Sequence, residues 1–239
     1  MSPKLFIVGV GPGSPKYLTE AAKDAISKSL YIIGYEYTLH TIESIIDSKR
    51  QNVYRINMQN QEETFQNIYS KMKEEYCSVP FTGDANFSES EVVDRLIEIF
   101  GDENVEIIPG ISSIQVAAAK AKIPLDKSQL LTFHVTGEIE QKKLELIKAI
   151  IDGKSVILLP RPWPTDPSRN FMQSDIAIFL KKNDIDTSNL RVWVFEYLTK
   201  DDKETVFRGT VNQLEGRQYS DLSVMIIDQV KRHTYLQFD

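Results

Sequence analysis

Three short loops hold the residues best suited to chemistry in this chain. The first, Gly9-Val10-Gly11-Pro12-Gly13-Ser14-Pro15, ends the apolar run Leu5-Phe6-Ile7-Val8. The second is Thr82-Gly83-Asp84-Ala85-Asn86-Phe87, and the third is Pro109-Gly110-Ile111-Ser112-Ser113. Each follows an apolar run of strand length, so each is expected at the carboxyl end of a strand. Small residues there leave backbone N–H and C=O groups open. Such a surface suits a folded adenosine with a charged amino-acid tail, bound through main-chain hydrogen bonds.

The first loop is not a dinucleotide fingerprint. Gly9 and Gly11 match G-x-G-x-x-G, but Ser14 stands at the third glycine and Pro12 has no N–H to offer a phosphate. The next apolar run, Leu30 to Ile33, also ends without the acidic residue expected about 20 residues on for ribose binding. Neither NAD nor ATP is therefore the expected ligand. Gly-Asp and Pro-Gly are common turn pairs, so a turn-forming role for Asp84 stands beside the expected one, a catalytic and ligand-binding carboxylate. His134 is expected at the end of a strand in the second half, as a proton acceptor or as an ordinary packed histidine. His40 and His233 make no ligand spacing with Cys77, and no protein-bound metal is expected. Cys77, the one cysteine, lies in a strand-like run and is expected to pack.

These loops need a rigid frame, and the pattern behind them supplies one. Strands are expected at Leu5 to Val8, Leu30 to Ile33, Val53 to Ile56, Cys77 to Phe81 and Val105 to Ile108. Amphipathic helices alternate with them, most clearly at Phe65, Ile68, Met72 and at Val92, Val93, Leu96, Ile97, Phe100. That alternation predicts an α/β fold with a mostly parallel sheet covered by helices. The connection Lys122-Ile123-Pro124-Leu125-Asp126 marks an expected boundary between an N-terminal domain, 1–123, and a C-terminal domain, 124–239. In the second, strands are expected at Leu130 to Val135, Val156 to Leu159, Arg191 to Phe195, Thr205 to Arg208 and Ser223 to Ile227, with helices around Leu144 to Ile151 and Ile176 to Lys182. The Thr205 strand follows Lys200-Asp201-Asp202-Lys203 too closely for a helical crossover, so this sheet is expected to be mixed.

With 239 residues, 41% hydrophobic and 26% charged, the chain is long enough to bury a sizeable core. A net charge of −6 and no basic run longer than pairs such as Lys231-Arg232 argue against a nucleic-acid partner. No stretch approaches the roughly 18 apolar residues of a membrane span, and the N-terminus has no secretory pattern. A soluble, cytoplasmic protein is expected. The segment Pro160-Arg161-Pro162-Trp163-Pro164-Thr165-Asp166-Pro167 reads as a stiff loop after a strand, either beside a cleft or as a surface linker with Trp163 packed on its own domain.

Taken in order, the three loops resemble the tetrapyrrole (corrin/porphyrin) methylase family, whose V-G-x-G-P-G-[DS]-P, G-D-P and P-G-[IV]-[ST]-S motifs build an S-adenosyl-L-methionine site. Within that family the nearest look is to the C-5 methyltransferases of corrin synthesis, carried by Pro109 to Gln115, Leu131-Thr132-Phe133-His134 and Phe195-Glu196-Tyr197-Leu198-Thr199 leading to Glu204-Thr205-Val206. The resemblance implies a two-domain fold with its active site in the cleft between domains. It implies cofactor contacts at Val10, Pro12, Gly83, Asp84, Phe87, Ser112 and Ser113, with Pro160, Leu198 and Leu222 closing over the adenine. It also implies a homodimer and a tetrapyrrole acceptor. Such an acceptor is rich in carboxylates, which Arg161 and Arg169 flanking the Pro-rich loop would pair with, the alternative being that both merely solvate that loop.

Departures bear on the substrate. The family's G-P-G-D-P is here Gly11-Pro12-Gly13-Ser14-Pro15, G-D-P-G-F is Gly83-Asp84-Ala85-Asn86-Phe87, and S-L-H-G appears as Thr132-Phe133-His134-Val135-Thr136-Gly137. Methylation at C-5 of cobalt-precorrin-7 or precorrin-6Y is the expected reaction. A methylase for another corrin position, a diphthine synthase and a non-catalytic cofactor-binding module remain alternatives. Because the chain ends at Asp239, C-15 methylation and decarboxylation are expected of a separate protein.

Overall fold

The computed structural model describes residues 4–163 and 165–229; Pro164, Lys231, Arg232 and His233 lie outside them. The chain divides into two compact units. One runs through Val116 and takes in Leu198–Lys203, and the other holds Ala117–Tyr197 and the chain from Glu204. By its contacts the division falls within the helix Ser113–Ala121, just ahead of the connection Lys122 to Asp126.

The first unit is built on β1 (Leu5–Gly9), β2 (Tyr31–Tyr35), β3 (Asn52–Ile56), β4 (Cys77–Phe81) and β5 (Val105–Ile108), all parallel, in the order β3-β2-β4-β1-β5. Helices α1 (Glu20–Lys28) and α2 (Glu36–Ile42) share a core with Phe6, Val8 and Ile32 on one face. On the other, α3 (Gln61–Lys71) and α4 (Ser90–Phe100) enclose Leu5, Ile7, Ile33 and Val79. Burial on both faces is why β1 and β4 read as unbroken apolar runs rather than alternating ones. Each large side chain so buried contributes about 1.5–3 kcal/mol of transfer free energy. Cys77 is fully buried, and burial pushes its thiol far above the ordinary range, so it packs and does not react at neutral pH.

The second unit carries β6 (Ser128–Thr132), β7 (Ser155–Leu159), β8 (Arg191–Glu196), β9 (Thr205–Thr210) and β10 (Ser223–Asp228) in the order β6-β7-β10-β8-β9. Only β6 and β7 are parallel; β10 runs against both β7 and β8, and β9 against β8. The sheet is mixed, as the short Lys200 to Lys203 connection requires. Helices α6 (Glu140–Ile151) and α7 (Gln173–Lys182) bury Leu146, Ile150, Ile176 and Leu180 against Leu158, Val192, Val194 and Met225; α5 is Ser113–Ala121.

Most strands lie within one or two residues of their expected bounds, but one stops well short of its expected end. The apolar run Leu130 to Val135 outlasts β6, which stops at Thr132. Phe133 N still donates to Leu159 O at 2.9 Å, but Val135 N then turns back onto Phe133 O at 2.8 Å. His134 is therefore exposed beyond the strand rather than set in its end.

At the far end of this sheet, Asp228 is 2% exposed, accepts from Ser155 Oγ at 2.8 Å and pairs with Arg191. Removing the guanidinium takes the positive partner from a buried carboxylate. Arg191→Met is expected to lower unfolding free energy by about 1–3 kcal/mol, read as a lower urea midpoint at unchanged slope.

Candidate active site

The three glycine loops meet at one end of the first sheet, because they leave β4, β1 and β5, which are neighbours there. From β1 the chain moves toward β2, and from β4 it crosses β1 to reach β5. This is the reversal of strand order at which open α/β sheets bind ligands.

Backbone alone joins the loops. Gly11 N donates to Gly83 O at 3.1 Å and Gly83 N to Gly11 O at 2.7 Å, while Val10 N reaches Phe81 O at 2.9 Å. A Cβ on Gly110 would stand 2.3 Å from Gly83 O and 2.6 Å from Gly9 C; one on Gly9 would stand 2.5 Å from Gly110 N. Glycine is required at both positions by close approach. At Gly83, with φ +73°, the nearest atoms to such a Cβ would be Ser113 N at 3.5 Å and Ser112 Cα at 3.8 Å. The main chain of the third loop therefore lies within van der Waals reach of Gly83, and the two loops present backbone groups side by side.

The side chains of these loops mostly hold the loops in shape. Asp84 Oδ1 accepts from Asn86 N at 3.0 Å and from Asn86 Nδ2 at 2.9 Å, closing the turn after Gly83. Ser112 Oγ accepts from Ile114 N at 3.3 Å, and Ser112 N donates to Gln115 Oε1 at 3.0 Å, so the third loop runs directly into the head of α5. Val10 and Pro12 are buried and Phe87 is half-buried.

A fourth segment belongs with them. Leu198, 4% exposed, stands between Tyr197 (φ 49°) and Thr199 (φ 71°), two non-glycine residues in the left-handed region. Thr199 Oγ1 accepts from Ser14 N at 3.0 Å, Lys16 Nζ pairs with Asp201 at 3.2 Å, and Lys200 Nζ lies 4.2 Å from the centre of the Tyr37 ring. Packing of this density is what holds strained backbone in place. No sequence signal marks the strain, since neither Tyr197 nor Thr199 favours that conformation.

In the second unit, the ends of β6, β7 and β8 and the start of β10 lie at one sheet edge, as their registers require. That edge gathers exposed His134, buried Pro160 and half-exposed Leu222, whose carbonyl accepts from Tyr197 N at 2.9 Å. Arg161 was expected to meet an acceptor. Instead it is 5% exposed and donates to Gly137 O at 3.0 Å, while Arg169 Nη2 donates to Thr136 O at 2.6 Å. Trp163 packs on its own unit, with its ring 3.6 Å from the Arg169 guanidinium and 4.8 Å from that of Arg161. The two arginines thus hold the 136–137 turn. A cavity of about 380 Å³ in the same unit is lined by Glu196, Thr205, Val206, Phe207, Arg217 and Tyr219 among others, and none of the cofactor or acceptor contacts expected from the sequence lines it.

Glu89 went unnoticed in the sequence. It occupies the residue before α4, yet its side chain makes no capping bond, and it follows Ser88, whose φ is 81°. Burial, with Glu91 as a smaller cause, pushes its carboxyl up to about 7. Tyr35 at the end of β2 is raised too, by its own burial and then by Glu89, and its hydroxyl donates to Gln61 Oε1 at 2.7 Å. The available signal was a glutamate flanked by Ser88 and Ser90 at a helix start, where serine is the ordinary cap. Among the described residues no group of three or more His, Cys, Asp or Glu side chains is arranged to hold a metal ion, and no helix is long and apolar enough to cross a membrane.

A doubly covered parallel sheet with glycine loops at its reversal point, followed by a second, mixed five-stranded sheet, defines a two-unit α/β protein with a ligand site at the loops of its first sheet. Residues 4–215 match the model of the tetrapyrrole (corrin/porphyrin) methylases, and the chain belongs to that family. It is 30% identical to the probable cobalt-precorrin-7 C(5)-methyltransferase of Methanocaldococcus jannaschii, across 94% of this chain and 97% of that one. Its fold is shared with the methyltransferase CobJ (TM-score 0.75, 15% identity, 95% and 94% of the two chains). It is shared also with precorrin-6Y methylase from Archaeoglobus fulgidus (TM-score 0.64, 22% identity, 95% and 98%). The protein is an S-adenosylmethionine-dependent methyltransferase.

The glycine junction should be intolerant of a single methyl group. Gly110→Ala is expected to cost about 1–3 kcal/mol of stability and to abolish S-adenosylhomocysteine binding, checked by thermal melting and titration calorimetry.

Proposed function

We propose that this chain methylates C-5 of cobalt-precorrin-7 or precorrin-6Y in cobalamin biosynthesis, with S-adenosyl-L-methionine as co-substrate. The observation that carries the reading is end-to-end similarity to the Methanocaldococcus jannaschii protein named for that reaction, together with intact glycine loops at the sheet reversal. When bound, the cofactor supplies an electrophilic methyl group. The chain then has to bind it, align it and exclude water. Val10, Pro12 and Leu198 are apolar walls, Gly83 and Ser113 offer main chain, Asp84 fixes the turn that presents Gly83, and Ser112 caps the helix behind it. Phe87 covers the same pocket, and Pro160 and Leu222 serve the adenine from the second unit. His134 is held in reserve at its exposed edge for a ring proton.

Arg169 keeps one edge of its guanidinium for an acceptor carboxylate, and Arg161 braces the same loop from within. The working form is a cytoplasmic homodimer, and C-15 methylation with decarboxylation falls to a separate protein.

The reading is tested by titration calorimetry and product mass. S-adenosylhomocysteine should bind while NAD does not; the reverse result removes the cofactor assignment. Asp84→Ala should weaken binding about tenfold, on the order of 1.4 kcal/mol, with little change in melting temperature, and Ser113→Leu should act similarly by filling the pocket. Incubation with cobalt-precorrin-7 should add one methyl group and retain the acetate carboxylate, which mass spectrometry reads directly.

A further inference from the structure

Resting on that reading, we infer that Lys200 is a ligand-binding residue of the first glycine loop, its ammonium pairing with a carboxylate of the molecule bound there. Lys200 is brought to that loop by its neighbours in the chain. Leu198 is buried, Thr199 Oγ1 takes the Ser14 amide at 3.0 Å, and Asp201 takes Lys16 Nζ at 3.2 Å. The backbone on either side of Lys200 is thus tied to residues 14–16, and its side chain runs back across Gly13. A Cβ on Gly13 would stand 3.3 Å from Lys200 Cγ and 3.4 Å from Lys200 Cε, with Tyr37 Oη at 2.8 Å. The lysine stem and the tyrosine cover that glycine together.

The charge at the end of the stem is not spent on the fold. Lys200 Nζ lies 4.2 Å from the centre of the Tyr37 ring, and among the described residues no carboxylate pairs with it. Lys16 beside the same loop has Asp201, and Lys120 has Glu204. A ring face attracts a cation, but it replaces neither the charge nor the oxygen acceptors that an ammonium with three donors can use. Lys200 is also half-buried, where solvent screens a pair less than at the open surface.

The backbone strain points the same way. Tyr197 and Thr199 both lie in the left-handed region, on either side of Leu198. Strained residues of this kind gather at ligand clamps, where the surrounding structure over-determines them. Here the strain bends the chain after β8 onto the first loop and sets Lys200 over it.

The anion is a carboxylate and not a phosphate. Pro12 has no N–H, so the loop lacks a donor that a phosphate cradle would need. On the reading above, both molecules that meet at these loops carry carboxylates, the cofactor on its amino-acid tail and the tetrapyrrole at its rim. A compact ammonium on a flexible stem suits either. Lys200 positions its ligand and takes no part in the bond-making.

The test uses Lys200→Met, which keeps a stem over Gly13 without the charge, and Lys200→Arg, which keeps both. Each is titrated with S-adenosylhomocysteine and with methylthioadenosine, a nucleoside that lacks the carboxylate, and assayed with cobalt-precorrin-7. Where the cofactor supplies the carboxylate, Lys200→Met should bind S-adenosylhomocysteine about tenfold more weakly and methylthioadenosine as wild type does. Where the acceptor supplies it, both affinities should hold while KM for cobalt-precorrin-7 rises about tenfold at nearly constant kcat. In both cases Lys200→Arg should restore most of the loss, and both variants should melt as wild type does. Equal weakening of the two nucleosides, a loss that Lys200→Arg fully shares, or no change in any of the three measurements overturns the role of Lys200 alone. A wild type that does not bind S-adenosylhomocysteine overturns the underlying reading, and this inference with it.

Discussion

The structure depends on one steric constraint: at Gly9 and Gly110 two backbones approach more closely than any Cβ allows. Parallel strands hold their axes a fixed distance apart, so loops leaving neighbouring strands cannot separate to admit a side chain. The contact also fixes Gly83, whose carbonyl lies against both glycines and whose N–H and C=O pair with Gly11. The loops therefore form one backbone junction, and the ligand surface is set by sheet geometry rather than by rotamers.

The side chains near that junction are spent on supporting it. Asp84 closes a turn, Ser112 caps a helix and Thr199 receives the amide of Ser14. Methyl transfer from a sulfonium asks for position and dryness more than for strong acids or bases. The residues the family motifs emphasise are accordingly scaffolding, and the one perturbed carboxyl near these loops, Glu89, lies outside those motifs.

What the sequence made legible follows from burial. β1 and β4 are covered on both faces by helices, so runs such as Leu5 to Val8 and Cys77 to Phe81 mark them almost to the residue. β6 was misjudged at its end because Phe133 stays in the core after pairing stops, and hydrophobicity records burial rather than hydrogen bonding. Arg161 was expected to face an acceptor carboxylate or solvent, since a pattern among prolines does not reveal that its guanidinium is turned inward onto the Gly137 carbonyl. Glu89 was missed for the converse reason: a carboxylate reads as solvated until the fold partly covers it. The loops themselves were found because glycine spacing is a direct trace of close backbone contact. The strained Leu198 segment left no such trace, and only the family resemblance pointed to it.

That segment has a consequence for synthesis on the ribosome. Residues Leu198–Lys203 belong to the first unit, although they leave the exit tunnel after most of the second unit's strands. The five-stranded sheet can assemble early, from residues up to Val116, but the Ser14 amide lacks its Thr199 partner until some 80 residues more have emerged. Through that interval the first loop is unfinished. The loop after β1 thus reaches its full set of hydrogen bonds only well after the sheet beneath it can form, so the order of synthesis, and not sheet assembly, times its completion.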